Sequence, residues 1–270
     1  MPEHAQASAG SDSDLAAPAP GFNVRDFART ASGSHRDALH LERYADRPLS
    51  TDTRRLLGYL NVIERATMTH LRSVLVTATH KDARITAFLV TWAYEKYWIA
   101  DALEQILFAH LPEGAPRDTV FRTPEERTIR ESIVANVIGV PMIAVHMSLG
   151  TVDEWITQAA YARIAELESH PQLTATLAAL GEVKARQLTF FEAQARFRLE
   201  ESPRARRLTR RRLARTPWPI GAKAEPAQET RFFFDHLFVT APALVAELDE
   251  RIDTLPGQSG LALIRKAARL

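Results

Sequence analysis

Three glutamates and a lysine stand at matched distances from two turns. His80 follows Glu64 by 16 residues and precedes Glu95 by 15, while His170 follows Glu154 by 16 and precedes Lys184 by 14. If both turns close helical hairpins, a rise of about 1.5 Å per residue sets all four side chains roughly 21 to 24 Å from their turns, in one layer of an antiparallel bundle. Carboxylates gathered inside a bundle each need a proton, a cation or a metal, because a buried unpaired charge is costly. Lys184 supplies a cation, and Gln187 supplies an amide that both donates and accepts. Crowded carboxylates are expected to push one glutamate pKa upward, leaving a protonated acid beside an ionised one, which is equipment for general acid–base catalysis. The competing outcome is an ion-pair network that only holds the fold.

The elements that must position this layer are helices. From Thr53 to about His80, apolar residues recur at helical spacing. Lys81-Asp82 interrupts, and a second helix runs from Ala83 to about His110, stopped by Leu111-Pro112-Glu113-Gly114. Thr123-Pro124-Glu125-Glu126 is a helix start, with Thr as N-cap, Pro in the first turn and acids at the positive end of the dipole. Pro141 is expected to kink or restart that segment, which continues to about Ser169. After His170-Pro171 a fourth helix covers Leu173 to about Glu200. Helical stretches around Glu229–Val239 and Ala241–Thr254 and a short amphipathic tail follow, and no segment alternates as a strand.

The layer and its spacing resemble the ferritin-like superfamily, in particular its carboxylate-bridged di-iron oxidases such as the acyl-carrier-protein desaturases and related amine oxygenases. That family sets one Glu on each of two helices and a Glu-x-x-His on each of the other two. Glu64 and Glu154 match the single carboxylates. The stretch W-A-Y-E-K-Y-W matches the motif's Glu with Glu95 and puts Trp98 where its His would stand. K-A-R-Q-L-T-F-F resembles the family's E-x-R-H-x-x-F-F/Y, with Lys184 for Glu and Gln187 for His. The resemblance spans roughly residues 54 to 200. It implies an all-α, ferritin-like antiparallel four-helix bundle with a C-terminal helical extension and a degenerate metal site. No cofactor is expected. Iron on Glu64, Glu95 and Glu154 is the alternative, serving an oxidase or oxygenase with a reduced site.

Residues one and two turns from the layer sketch a cavity for an apolar small molecule: Met68, Phe88, Thr91, Trp98, Met147, Gly150, Tyr161 and Phe191. Gly150, one turn before Glu154, would leave room for a ligand; ordinary core packing explains the same residues. His70 and His146 lie off the repeat of Glu64 and Glu154, so neither is expected to complete a metal site. His80, His110 and His170 fall at helix C-termini, where capping accounts for them.

Composition sets the outer limits. The 270 residues are 46% hydrophobic with a net charge of +1, so bulk charge favours neither nucleic acid nor membrane. The absence of Cys removes disulfides, thiolate metal sites and Cys nucleophiles, and suits a reducing compartment. Residues 1–22 are Ala-, Ser-, Asp- and Pro-rich without signal-peptide features, and are expected to form a disordered leader on a cytoplasmic protein. Residues 23–202 would form the bundle and 203–270 a basic helix and annex packed on it. From Arg196 to Arg215 the chain carries nine Arg, a solvated helix face or a dock for an acidic carrier protein. A homodimer is also compatible with such a bundle. The leading functional expectation is a small-molecule tailoring enzyme using the Glu/Lys layer; the third, from another class, is a non-catalytic binding or scaffold protein.

Overall fold

The computed structural model describes residues 22–111 and 139–269. Among these residues all regular structure is helical, and no strand occurs. Two short helices, α1 (Val24–Arg29) and α2 (Arg43–Asp46), precede four long ones: α3 (Thr51–Leu75), α4 (Ala83–Phe108), α5 (Pro141–Glu168) and α6 (Pro171–Glu201). Behind them come α7 (Pro203–Leu213), α8 (Ala227–Phe234), α9 (Pro242–Asp253) and α10 (Leu263–Ala268). None of the described helices is long and apolar enough to cross a membrane.

Three of the four long helices start where the sequence supplies a side-chain cap. Ser50 accepts from the Thr53 N–H, Asp82 from the Arg84 and Ile85 N–H groups, and His170 from that of Leu173. His170 therefore caps the start of α6 rather than the end of the preceding helix, as the spacing had suggested. Pro141 sits in the first turn of α5, where its missing N–H costs nothing. The helix start expected at Thr123 lies outside the described residues, as do residues 1–21. Helix α3 ends five residues earlier than its periodicity implied, and a tight turn over Ala78–Lys81 carries His80 to α4.

The long helices bury seams with alternating steps of three and four residues. On α4 the seam is Ile85, Leu89, Trp92, Lys96, Ile99, Leu103 and Ile106, all buried. On α6 it is Leu173, Leu177, Leu180, Lys184, Gln187, Phe191, Gln194 and Arg198, also buried. Helices α3 and α4 pack closely as one hairpin, and α5 and α6 as the other.

Two segments close the lines where the hairpins meet. Residues 22–49 cover α4 and α6: Phe22 and Phe27 join Phe88 and Phe190 in one aromatic cluster, and Arg36 grips Asp101 at 2.7 and 3.0 Å. On the opposite side, the loop after α7 crosses from α5 to α3. Ile220 N–H donates to Asp153 at 2.7 Å, and Gly221 rests on Ala66 and Ile63. Helix α8 continues this cover, with Tyr59 against Phe233 and Arg55 paired to Glu229.

Gly221 holds a φ of +98°, and a Cβ there would lie 2.8 Å from that of Ala66. Gly221→Ala should therefore cost about 1–3 kcal/mol through backbone strain and overlap. Gly58→Ala on α3 meets nothing within 4 Å and should be neutral or slightly stabilising. Urea unfolding of both variants checks this; equal stability would mean the loop does not press on α3.

Candidate functional site

At the middle of the seams, four charged side chains meet, one from each long helix. Lys184 Nζ lies 3.0 Å from Glu64 Oε1 and 2.8 Å from Glu154 Oε2. Lys96 Nζ lies 3.3 Å from Glu154 Oε1 and closer still to Glu64 Oε2. Carboxylate and ammonium thus alternate around a closed ring, and all four residues are essentially inaccessible to solvent. Two outer donors complete it: Tyr161 OH donates to Glu64 at 2.8 Å and Trp92 Nε1 to Glu154 at 3.4 Å. Each hairpin gives one Glu from its first helix and one Lys from its second. Lys96 lies 16 residues after His80, which mirrors the 16 residues from Glu64 to that turn.

Electrostatics follow from this geometry. Burial alone would raise the Glu64 carboxyl, but Lys184 and Lys96 outweigh it and bring its pKa down to about 2. Burial likewise opposes the Lys96 charge, and Glu154, Glu64 and Asp153 together raise its pKa above the ordinary lysine range. Tyr161 is held protonated by burial and by Glu64 beside it. The expected upward push on a ring glutamate is absent for Glu64, because a second lysine balances the charges.

The group driven upward is Asp153, beside the ring. Burial raises its carboxyl to about 7; Lys96 and Lys184 offset only part of that, and Glu154 adds to it. Its Oδ1 accepts from Ile220 N–H, and among the described residues it has no ion-pair partner. Asp153 borders a slot between α3 and α5 with a free volume of about 10 Å³, room for roughly one water.

The predicted residues divide. Glu64, Glu154 and Lys184 meet in the ring, with Tyr161 in contact. Glu95 does not join them: the buried α4 residue in the ring is its neighbour Lys96. Glu95 instead accepts from Arg186 at 2.6 Å, Gln187 at 2.8 Å and the Ser32 N–H at 2.9 Å. Gln187 is therefore one helical turn beyond the ring, bonded to Glu95. Trp98, assigned to the motif's His position, packs edge-on to the exposed Tyr94 and Tyr97. Met68 is half exposed, and the Thr91 hydroxyl donates to Ala87 O on its own helix, so neither lines an interior cavity.

Space at Gly150 is already taken. A Cβ there would come within 2.5 Å of the Phe191 ring, which fills the gap the missing side chain leaves. Phe88 lies in the aromatic cluster with Phe190, while Met147, Gly150 and Phe191 border the slot. His146 is buried and meets Thr79 Oγ1 at 2.8 Å; it also lines the slot with His70. No group of three or more His, Asp or Glu among the described residues is arranged to hold a metal ion.

Much of the Arg-rich run is structural. Arg198 pairs with Asp82, Arg196 with Glu192, and Arg206 and Arg210 donate to backbone carbonyls. The underside of α7 is buried through Ala205, Thr209 and Leu213. Arg204, Arg207 and Arg211 face outward.

No family model matches the chain, and no curated protein or solved structure matches it significantly.

The Asp153 carboxyl rises from 3.8 to about 7 on folding, so the folded form loses stability as pH climbs through that interval. Asp153→Asn keeps an acceptor for Ile220 and removes the ionisation. It should be more stable than the parent at pH 8, on the order of 4 kcal/mol, with no gain below pH 3.8. Thermal melts across this range check the point; a gain independent of pH would mean Asp153 does not titrate in the folded protein.

Proposed function

We propose that this chain is a ferritin-like four-helix bundle in which a Glu–Lys ring takes the place of the two metal ions typical of that superfamily. Its interior then offers acid–base rather than metal-centred chemistry. One observation carries the reading: the alternating closed ring of Glu64, Lys96, Glu154 and Lys184 at the convergence of the four long helices.

Charge arithmetic supports the substitution. Two divalent cations in the superfamily's site are balanced by about four carboxylates. Taking α4 one residue on from the motif match at Glu95, Lys96 stands at the motif's Glu position and Ile99 at its His position. On α6, Lys184 and Gln187 stand at the same two. Two carboxylates have then become ammonium groups, a change of about four charge units, which matches the loss of two divalent ions. The donor set does not fit a di-iron centre: both carboxylates are already paired to ammoniums, and neither Ile nor Lys as an ammonium ligates iron.

The ring itself is assigned to holding the helices together, since its charges are mutually satisfied. Asp153 is the group suited to exchanging protons near neutral pH, at the edge of that slot. We assign it the working role in small-molecule chemistry, in place of the ring glutamates. The outward arginines of α7 suit an acidic protein partner, by charge alone.

Protein purified from iron-supplemented cells should contain well under two irons per chain. Changing Lys96→Glu, Lys184→Glu, Ile99→His and Gln187→His together should raise iron content severalfold, since it rebuilds the superfamily's ligand set. Metal analysis of both proteins is the check. An unmodified chain with nearly two irons, and the spectrum of a coupled pair, would contradict the proposal.

A further inference from the structure

The slot beside Asp153 has a charge left over. Around the ring, three carboxyl groups (Glu64, Glu154 and Asp153) face two ammonium groups, Lys96 and Lys184. The remaining acid of the layer, Glu95, is matched by Arg186 on the opposite side of the bundle. Asp153 is thus the odd carboxyl. It is only 6% exposed, it lies where α3, α5 and the loop at Ile220 meet, and the slot it borders is lined by Trp92 and Phe191.

We propose that this slot binds the head of a small primary ammonium ion, with Asp153 as its counter-ion. Three features select that chemistry. An ammonium supplies the one positive charge that balances the cluster. The volume of about 10 Å³ admits a group the size of water, which suits –NH₃⁺ and excludes guanidinium or quaternary ammonium heads. Trp92 and Phe191, edge to face at 5.3 Å, add aromatic surface of the kind that attracts cations. Half-buried His70 and Ile220 form the rim, so the ligand's alkyl portion would leave the slot between α3 and the loop.

The inference rests on Asp153 being the working group, not on the ring's history, so it can fail while the iron result stands. The charged and titratable groups around Asp153 are Lys96 on α4, Glu154 and Tyr161 on α5, Lys184 on α6, and Glu64 and Tyr59 on α3. His70 and His146 share the slot. Alkylammonium ions stay charged throughout the neutral range, while Asp153 ionises across it, so affinity should rise from pH 6 to pH 8.

The test is titration calorimetry and thermal shift of the full chain with methylammonium, ethylammonium and tetramethylammonium chlorides and with sodium chloride, at equal ionic strength. The two primary ammonium ions should give a saturable shift at pH 8 that weakens at least severalfold at pH 6. Tetramethylammonium should behave as sodium does. Asp153→Asn should weaken methylammonium binding at least tenfold while remaining folded. An identical response to all four salts, or binding that survives Asp153→Asn, would overturn the proposal.

Discussion

Charges removed from water must cancel one another, and this requirement organises the centre of the protein. Two carboxylates and two ammoniums contributed by four different helices are each satisfied only while all four helices stand in register. A shift of one helix by a single residue would replace Lys96 with Tyr97 or Glu95 and strand the rest. The apolar seams above and below the ring supply most of the burial.

The covering segments follow from the same constraint. Glu95 lies on the line between α4 and α6, and Asp153 on the line between α3 and α5. Either would leave a buried charge open to solvent entry without its cover. On the first line, Arg186 and Gln187 meet Glu95 and the Ser32 N–H joins them, so residues 22–49 are tied down by the charge they shield. On the second line the tie is lighter, a single N–H from Ile220, and the carboxyl is kept partly neutral instead. This difference leaves the α3–α5 side as the one where a proton or a small cation has something to do.

The sequence made the four long helices, both turns and three of the four ring residues legible, but not the short helices α1 and α2. Glu64, Glu154 and Lys184 were found because equal distance from a turn is equal depth in a hairpin. Lys96 was missed because its neighbour Glu95 matched a motif, and matching residue type outweighed phase. Phase was the better guide: Ile85, Leu89, Trp92, Lys96, Ile99 and Leu103 step by four and three without a break, which puts Lys96 on the seam. With two lysines recognised, the expectation of a raised glutamate would have given way to a balanced ring. Asp153 carried no comparable signal. Its importance comes from Ile220, 67 residues away, and from a charge count that needs every partner known. Likewise Gly150 was legible as missing volume, but not that Phe191 would occupy it.

The most direct test compares one substitution with four. Lys184→Met alone leaves two carboxylates sharing one ammonium and should cost about 3–5 kcal/mol at pH 7, because the charges left behind stay buried and unbalanced. Converting the whole ring to neutral residues of similar size, with Glu64→Gln, Glu154→Gln, Lys96→Met and Lys184→Met, removes the imbalance. Its cost should be smaller than that of the single change, as measured by urea unfolding. Losses that add up, with the fourfold variant far less stable than Lys184→Met, would show that the four charges do not depend on one another and would contradict the ring as the constraint that sets the fold.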